Sequence, residues 1–372
     1  MRISTSNIRK DAVSAGTASF CMPVRKSVIA AGDSGYTEKK RNGAIVGMCT
    51  SIAFAADGFF FGRNLDLECQ FGERVVITPR KYPFLFRDGE RLTEHYAMIG
   101  MAAVEDGYPL YAEAGNEKGL GMAGLNFPGN AFYPEEKAAG KANISPFELI
   151  PWILGQCASV ADARRLLERT HIRRIHFSER MQLSPLHWHI ADRRESIVLE
   201  AVRDGMHVHD NPAGVMTNNP PLDFHLTNLR QYLNLTTDFP ENRFTGRMEL
   251  EPFGVGMGAV GLPGDFSPAS RFVKAAFLRM NAPEGMGHEA CLAHFFHMLD
   301  AVAMPDGIVR TKRGLFERTS YSCCFDADEG VFYYKTYENN RLTAVDMRRM
   351  HLDGKELVEY EVVRTQQTAW AN

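Results

Sequence analysis

Three residues in the first part of the sequence could together form a reactive cysteine site: Cys49, Arg63 and Asp66. A cation beside a thiol favours the thiolate, the nucleophilic form of cysteine, and a carboxylate can hold a nearby amine or amide. The stretch between them places Asp57-Gly58 between two apolar runs of high β-propensity, which predicts a β-hairpin. Because a hairpin brings its ends together, we expect Arg63 and Asp66 beside Cys49. The alternative is a buried structural hairpin in which Cys49 is only a small apolar residue.

The cysteines that follow Cys49 are less suited to catalysis, because they lie in apolar or helical stretches where a buried, unreactive thiol is usual. They are Cys69, Cys157, Cys291, Cys323 and Cys324. No histidine occurs between residues 48 and 68, so a cysteine–histidine pair has no support in this block. If Cys49 were the first residue of the mature chain, its α-amine, with an ordinary pKa of about 7.7–8.0, could itself accept the thiol proton.

Two other patterns are interpreted as structural. The stretch Gly256–Gly261 matches GxGxxG, but Leu262-Pro263-Gly264-Asp265 follows where a dinucleotide site requires a helix. His288, Glu289, His294 and His297 could lie on one helix, but their spacing differs from that of a zinc protease. The sequence therefore predicts neither a cofactor nor a metal site.

The composition argues for a globular protein that binds neither nucleic acid nor membrane. The chain has 372 residues, 45% of them hydrophobic and 23% charged, with a net charge of −3. No apolar run approaches the roughly 18 residues of a transmembrane helix. The seven cysteines are odd in number and irregularly spaced. This pattern favours a reduced, cytoplasmic compartment over a disulfide framework.

Residues 1–47 differ from the rest of the chain. They carry a net charge of +5, which leaves −8 for residues 48–372, and they have only two aromatic residues. Low hydrophobicity and the absence of periodicity predict a disordered extension. It is either a pro-segment removed to expose Cys49 or the product of a start codon assigned too far upstream, with translation beginning at Met48. Residues 48–372 are then expected to form a single catalytic domain.

The predicted elements alternate between groups of strands and pairs of helices, which indicates an α+β protein. After the first hairpin the sequence predicts strands at 75–78, 96–104, 110–114 and 119–127. Ser145, Pro146 and Glu148 form a capping-box pattern that opens a helix to about Cys157, and a second helix follows to Thr170. Further strands are expected at 187–191, 196–202 and 206–209, helices at 268–280 and 289–304, and final strands at 321–326 and 331–337.

The stretch MCTSIAFAADGFFFGRNLDLE at 48–68 resembles the mature N-terminus of the choloylglycine hydrolase family, which groups bile salt hydrolases with penicillin V acylases. Four more blocks resemble the family in its order: GMAGLNFPGNAFY, GVMTNNPPLDFHLTNL, GLPGDFSPASRFVKAAF and YYKTYENNRLTAVDM. The resemblance implies an N-terminal-nucleophile hydrolase with a four-layer αββα sandwich and no cofactor. It also implies a homotetramer.

The resemblance assigns a role to each matching position. Cys49 looks like the nucleophile and, through its amine, the general base and acid. Arg63 resembles the cation that lowers the thiol pKa, and Asp66 the carboxylate that holds the amine and the scissile amide. Asn126 and Asn218 resemble the oxyanion-hole residues, with Asn219 as the alternative to Asn218. Arg271 resembles the arginine that completes the network.

The same resemblance predicts the substrate contacts. They are Leu65, Phe127, Phe132, Tyr133, Gly254, Val255 and Gly256. In bile salt hydrolases the loop before GLPGD carries either Ser-Arg, which goes with taurine conjugates, or Gly-x-Gly, which goes with glycine conjugates. The loop here is of the second form, so a bile salt hydrolase that prefers glycine conjugates is predicted.

Two alternatives remain open for the function. The first is a penicillin V acylase, although Asn126 favours the bile salt branch because the acylase branch tends to place Tyr there. The second is a non-catalytic binding protein on the same fold, if Cys49 is never exposed.

Overall fold

The computed structural model describes residues 47–179 and 181–372, so the extension predicted to be disordered, residues 1–47, lies outside the described residues except for Gly47. In chain order the strands are β1 (Met48–Ala56), β2 (Gly58–Leu67), β3 (Arg74–Thr78), β4 (Phe84–Leu85), β5 (Arg91–Leu92), β6 (Met98–Glu105), β7 (Tyr108–Asn116), β8 (Gly121–Asn126), β9 (Ala142–Ile144), β10 (Thr170–Ile172), β11 (Leu186–Ala191), β12 (Ser196–Val202), β13 (Gly205–Asp210), β14 (Val215–Met216), β15 (Val309–Arg310), β16 (Phe316–Asp326), β17 (Val331–Thr336), β18 (Thr343–Asp346) and β19 (Val358–Glu361). The α-helices are α1 (Leu149–Gln156), α2 (Val160–Glu168), α3 (Leu222–Asn228), α4 (Pro268–Met280) and α5 (His288–Asp300).

The predicted hairpin forms the middle of the first large sheet. Strands β1 and β2 pair from Met48 opposite Asp66 to Ala56 opposite Gly58. Gly58 has a φ of +152°, and a Cβ there would lie 2.7 Å from the ring of Phe60. Only glycine fits this turn, as the sequence indicates. The sheet has seven strands in the order β14-β1-β2-β16-β17-β18, with β15 paired to β16.

The second large sheet has eight antiparallel strands in the order β13-β12-β11-β8-β7-β6-β3-β19. Its two faces bury different clusters, as β3 illustrates. Val75 and Ile77 pack with the core that contains β1 and β2, whereas Val76 packs with α1 and α2. The sheets approach closely at Gly121, where a Cβ would lie 2.5 Å from the ring of Phe61.

Helices cover the outer face of each sheet. Helices α4 and α5 pack on β1, β2 and β16, and α1 packs on β7 and β8. The amphipathic helix α2 buries Val160, Ala163, Leu166 and Leu167 in the same outer core. The predicted α+β, four-layer αββα sandwich is therefore confirmed.

The element boundaries differ from the predictions in a few places. The capping-box segment first forms a 3₁₀ turn, Pro146–Glu148, before α1 begins at Leu149, and the Glu148 carboxylate accepts from the backbone N–H of Ser145 at 2.9 Å. Helix α3 was not predicted, because its seven residues follow two prolines and carry little apolar periodicity. The longest helices have 13 residues, and among the described residues no helix is long and apolar enough to cross a bilayer.

The prediction that the later cysteines are buried is correct for four of them. Cys157, Cys291, Cys323 and Cys324 are buried and free. Cys69 is instead exposed and disulfide-bonded, so the prediction is wrong there. Its position explains the difference, because it follows the end of β2 in a bend outside the apolar core.

Candidate active site

Cys49 lies in β1 between the two large sheets and is 1% exposed. Leu65 of β2 is its direct cross-strand partner, and Ser51 and Arg63 form the next pair on the same face. The backbone N–H of Cys49 donates to Oδ1 of Asn218 at 2.8 Å. The hairpin thus places Arg63 beside Cys49, as predicted.

Arg271 closes the network from the first turn of α4. The helix begins after Ser267, whose hydroxyl accepts from the N–H of Ser270, and this cap fixes the turn that carries Arg271. The guanidinium donates to the carbonyl oxygen of Cys49 at 2.5 Å and to Oδ1 of Asn218 at 2.9 Å. It also donates to the hydroxyl of Thr50 at 2.6 Å.

Asn126 ends β8 and faces the residue that precedes Met48. Its Nδ2 donates to the carbonyl oxygen of Gly47 at 2.9 Å. The backbone carbonyl oxygen of Asn126 accepts from Nδ2 of Asn218 at 2.8 Å. Asn219 points elsewhere, because its Nδ2 donates to the carbonyl oxygen of Pro128 at 2.6 Å. The structure therefore brings Asn126 and Asn218, rather than Asn219, to the nucleophile.

Arg63 has a carboxylate partner that the sequence did not reveal. Its Nη1 lies 3.5 Å from Oε2 of Glu113 on β7 and donates to the carbonyl oxygen of Gly124 at 2.6 Å. Tyr321 donates to both carboxylate oxygens of Glu113, at 2.9 and 3.1 Å. Nη2 of Arg63 is buried without a hydrogen-bond partner among the described residues. Burial raises the pKa of Glu113 to about 7, although Arg63 and Tyr321 oppose this shift.

Asp66 lies opposite Met48 and is fully buried. Its Oδ1 accepts from the hydroxyl of Thr319 at 2.6 Å, and its Oδ2 has no hydrogen-bond partner in the described part of the chain. Burial raises the pKa of Asp66 to about 6 against the opposing effect of Arg271. A second acid, Glu317, is buried nearby, and burial together with the charge of Asp66 raises its pKa to about 8.

The thiol is more buried than the sequence suggested. Burial raises the pKa of Cys49 above its ordinary value. Arg63 and Arg271 lower this pKa, and Asp66 raises it. The arginines thus act in the predicted direction but do not offset burial while Met48 precedes the cysteine.

Cys49, Arg63 and Asn126 lie in the wall of a cavity that encloses about 830 Å³, part of it open to solvent. Concave sites with a mostly apolar wall and a few polar groups are typical of small-molecule binding. Most of the remaining wall is apolar, so the cavity has a polar end at the cysteine. The wall includes Leu65, Leu67, Phe71, Leu110, Tyr111, Phe147, Ile150, Phe177, Met181, Leu183, Leu186 and Trp188.

Of the predicted substrate contacts, only Leu65 lines this cavity as the structure describes it. Phe127 is fully buried and stacks on His187 with ring centroids 4.2 Å apart. Phe132 lies partly exposed beneath the guanidinium of Arg203. The resemblance predicted that both rings contact the substrate, but in this structure they complete interior and surface packing outside the cavity wall.

Tyr133 acts on the cavity wall indirectly. Its hydroxyl donates to the carbonyl oxygen of Ser184 at 3.1 Å and accepts from the N–H of Leu186 at 2.7 Å, and both partners line the cavity. Gly254, Val255 and Gly256 are exposed and do not contribute to the wall described here. Their loop is followed by a 3₁₀ turn, Met257–Ala259, in place of the helix that a dinucleotide site requires.

One group among the described residues has the arrangement of metal ligands. Side-chain atoms of His288, Asp326 and Asp328 lie within 4.8 Å of one another. Each already has a protein partner: His288 contacts Asp326 at 2.6 Å, and Arg193 donates to Asp328. The group is accounted for as a surface ion-pair cluster.

Glu113, Glu317 and the parts of the wall formed by residues 146–150, by Phe177 and by residues 181–186 were not predicted from the sequence. Glu113 could have been noticed as the one acid in the run YPLYAEAGN, but a bulge at Ala112 breaks the alternation of β7 directly before it. Segment 177–186 has no periodicity that would have indicated its position.

Comparison with known proteins agrees with this arrangement. The model of the choloylglycine hydrolase family, described as linear amide C–N hydrolases, matches residues 49–360. The chain belongs to the choloylglycine hydrolase family. As a member of this family it is a hydrolase of linear amides. The match begins at Cys49, the residue that the cavity and the network surround.

Two relatives place the chain within the family. It is 47% identical over 313 residues to a bile salt hydrolase/transferase from Lactiplantibacillus plantarum, across 84% of this chain and 96% of the relative. The structure of a mutant conjugated bile acid hydrolase from Clostridium perfringens superimposes with a TM-score of 0.81 at 38% identity, covering 87% of this chain and 100% of that one. Penicillin V acylase from Agrobacterium tumefaciens has a TM-score of 0.66 at 19% identity and covers 84% of this chain and 90% of that one, so it shares the fold.

Proposed function

We propose that this protein hydrolyses conjugated bile salts at the amide that joins the steroid acyl group to glycine or taurine. The observation that carries the proposal is the position of Cys49 at the polar end of a largely apolar cavity. A steroid would bury its rings against the apolar wall and present its amide to the thiol. The names of the relatives from L. plantarum and C. perfringens support this substrate class.

In the proposed reaction Cys49 is the N-terminal residue of the mature chain. Its α-amine takes the thiol proton, and the sulfur attacks the substrate carbonyl to form a tetrahedral intermediate. The C–N bond then breaks, the amine returns the proton to the leaving glycine or taurine, and a thioester remains. Water, deprotonated by the same amine, attacks the thioester, releases the bile acid and regenerates the thiol.

Asn126 is proposed to donate to the developing oxyanion. Its Nδ2 donates to the carbonyl oxygen of Gly47, so this donor becomes available when the preceding residues are absent. Asn218 is proposed to share this role. Its contact with the nitrogen of Cys49 supports a further contribution, namely orienting the amine.

The charged residues are proposed to hold and tune the nucleophile. Arg63 favours the thiolate, and Asp66 holds the amine and the scissile amide; the position of Asp66 opposite Met48 supports this role. Arg271 fixes the backbone of Cys49 through its carbonyl oxygen. Residues 48–372 are proposed to act as one catalytic domain.

The glycine preference and the substrate branch are also proposals. The Gly-x-Gly form of 254–256 supports a preference for glycine conjugates, and Asn126 supports the bile salt branch over penicillin V acylase. A panel of glyco- and tauro-conjugates beside penicillin V, assayed on protein that begins at Cys49, tests both. Faster hydrolysis of penicillin V than of every bile salt would refute the substrate class.

A non-catalytic binding protein on the same fold is the alternative if Cys49 is never exposed. In that case the carbonyl oxygen of Gly47 would keep its hydrogen bond from Nδ2 of Asn126, and this donor would not reach a substrate. N-terminal sequencing of the purified protein decides between the two. A chain that begins at Cys49 supports the enzyme, whereas a chain that begins at Met1 and shows no turnover supports the binding protein.

We also propose that the enzyme is cytoplasmic and homotetrameric. Several large apolar side chains between residues 233 and 260 are exposed, among them Phe244 at 86% and Phe253 at 94%. Exposed apolar residues concentrated in one segment are typical of an interface. Light scattering coupled to size exclusion tests the assembly, and Phe244→Ser with Phe253→Ser should shift it towards smaller species.

A further inference from the structure

Two buried carboxylates flank Met48, the residue that precedes the nucleophile. Asp66 lies directly opposite Met48 in the β1–β2 ladder. Glu317 receives a hydrogen bond from the backbone of Met48. Glu317 lies two residues before Thr319 on β16, and Thr319 donates to Asp66 at 2.6 Å, so the two acids share one face of the sheet.

Each of these acids keeps one oxygen without a hydrogen-bond partner among the described residues. These oxygens are Oδ2 of Asp66 and Oε2 of Glu317, and both are buried. Asp66 is fully buried and Glu317 is 2% exposed. Unpaired carboxylate oxygens in the interior are costly unless a cation or a donor reaches them.

The positive charges near Asp66 and Glu317 do not neutralise both acids, so one more cation could be stabilised beside them. Arg271 faces both acids from α4, and Arg63 also acts on Asp66. Arg271 is shared with Cys49 and Asp265, and Glu68 adds a further negative charge near Glu317. Glu68 is itself paired with Arg313.

We infer that Glu317 is a positioning residue that, together with Asp66, binds the α-ammonium group of Cys49 once this residue is the N-terminus. The inference rests on the proposed function, because it requires Cys49 to be exposed. Removing Met48 replaces a neutral peptide group with an ammonium group, which supplies the missing cation and donors. A neighbouring carboxylate stabilises the ammonium form, so Glu317 helps to set the pH at which the amine can act as a base.

The first experiment compares the pH dependence of kcat/KM for glycocholate in wild type and Glu317→Gln, with the N-terminus verified as Cys49 by mass spectrometry. Losing one negative charge lowers the pKa of the amine, so the acidic limb should move to lower pH by about one unit. Glu359→Gln removes the same charge from exposed strand β19 and should leave the limb in place. If wild type is active and its acidic limb coincides with that of Glu317→Gln, the inference is wrong.

A second experiment does not depend on turnover or on the folding of Glu317→Gln. It compares the thermal unfolding of two forms of the Cys49→Ala variant. The longer form is the full chain, and the shorter form begins at position 49, where the family match begins. In the longer chain, the folded pKa values of about 6 and about 8 exceed the unfolded ones. The stability due to the two protons is therefore present at low pH and is lost as pH rises through these values.

The ammonium group of the shorter chain should offset this loss. The Tm of the shorter chain relative to the longer one should therefore rise between pH 5 and pH 8. A difference in Tm that stays constant over this range would overturn the inference. Inactive wild type that nevertheless shows the rising difference would refute the proposed function and leave the ammonium site supported.

Discussion

Asn218 and Cys49 are joined by a hydrogen bond of 2.8 Å, in which the backbone N–H of the cysteine donates to the side-chain oxygen of the asparagine. Two other groups hold Asn218 in place. Arg271 donates to the same oxygen, and the ring of His225 contacts the backbone oxygen of Asn218 at 3.0 Å. Burial lowers the pKa of His225 to about 4, so at neutral pH this ring is a neutral donor. Asn218 is thus held at its side-chain oxygen by Cys49 and Arg271 and at its backbone oxygen by His225.

We therefore predict that Asn218→Ala lowers kcat by roughly 10²–10³, the usual cost of an oxyanion-hole donor. Asn219→Ala is the matched control, because Asn219 binds Pro128 and Asn130 instead of the nucleophile. Steady-state kinetics on glycocholate should show less than a tenfold change for the control. Equal losses in both variants would mean that the neighbouring turn, and not Asn218, is required.

The Arg63–Glu113 pair predicts an unusual pH dependence of stability. The folded pKa of Glu113, about 7, lies above its unfolded value. The stability due to this proton is present below the unfolded pKa and is lost as pH rises through the folded pKa. Between pH 5 and pH 7.5 wild type should lose roughly 2 kcal/mol through this group. The glutamine of Glu113→Gln has no proton that titrates in this range. The free energy of unfolding of the variant should therefore rise relative to that of wild type between pH 5 and pH 7.5.

Chemical denaturation at several pH values measures this difference. Glu117→Gln is a suitable control, because Glu117 is paired with Arg80 and its pKa is lowered rather than raised. The control should show almost no trend between pH 5 and pH 7.5, because a lowered pKa changes stability only near and below the ordinary pKa of glutamate, about 4.3. If Glu113→Gln instead became steadily less stable than wild type towards pH 7.5, the ion pair with Arg63 would outweigh the cost of burying the charge.

Cys49→Ser should abolish hydrolysis and leave the fold intact, since a hydroxyl is far less acidic than a thiol and no histidine lines the cavity among the described residues. Circular dichroism and thermal unfolding check the fold, and a fixed-time assay on glycocholate checks the activity. Cys157→Ala is the control, because this thiol is buried at the end of α1, outside the cavity wall. Activity of Cys49→Ser within about tenfold of wild type would exclude the thiol as the nucleophile.

The sequence predicted those parts of the site that depend on local geometry. Asp57-Gly58 defines one hairpin turn, and the two-residue period of its strands then fixes which side chains accompany Cys49. The order of strands and helices was sufficient for the α+β class, and the family resemblance specified the αββα sandwich. The placement of Asn126, Asn218 and Arg271 depends on contacts between distant segments, and only the family resemblance supplied it.

The cavity wall could not be predicted for a related physical reason. Its residues come from β2, β7, the start of α1, Phe177 and the stretch 181–184, and β11, which meet only in the folded chain. Aromatic residues near Asn126 were a poor guide, because large rings also complete cores. Phe127 does so against His187. The electrostatic partners Glu113 and Glu317 are equally non-local, since each faces β2 from a different strand.

The preference between conjugates is the most demanding prediction. Arg271 already donates through Nε, Nη1 and Nη2 to protein acceptors, so it offers little to a bulky sulfonate. The loop 254–256 is exposed and has no cation of its own. We therefore predict a higher kcat/KM for glycocholate than for taurocholate. Gly254→Ser with Val255→Arg should narrow or reverse the ratio, because an arginine can bind the sulfonate through charge-assisted hydrogen bonds.

Val260→Arg is the control for this pair of substitutions, because it adds the same charge at a position that is also exposed but lies beyond the Gly-x-Gly residues. The charge alone attracts both anionic conjugates similarly through long-range forces, so Val260→Arg should leave the glycocholate-to-taurocholate ratio unchanged. A ratio altered equally by both variants would show that net charge sets the preference. Wild type that cleaves taurocholate clearly faster than glycocholate would show that this loop does not determine the conjugate.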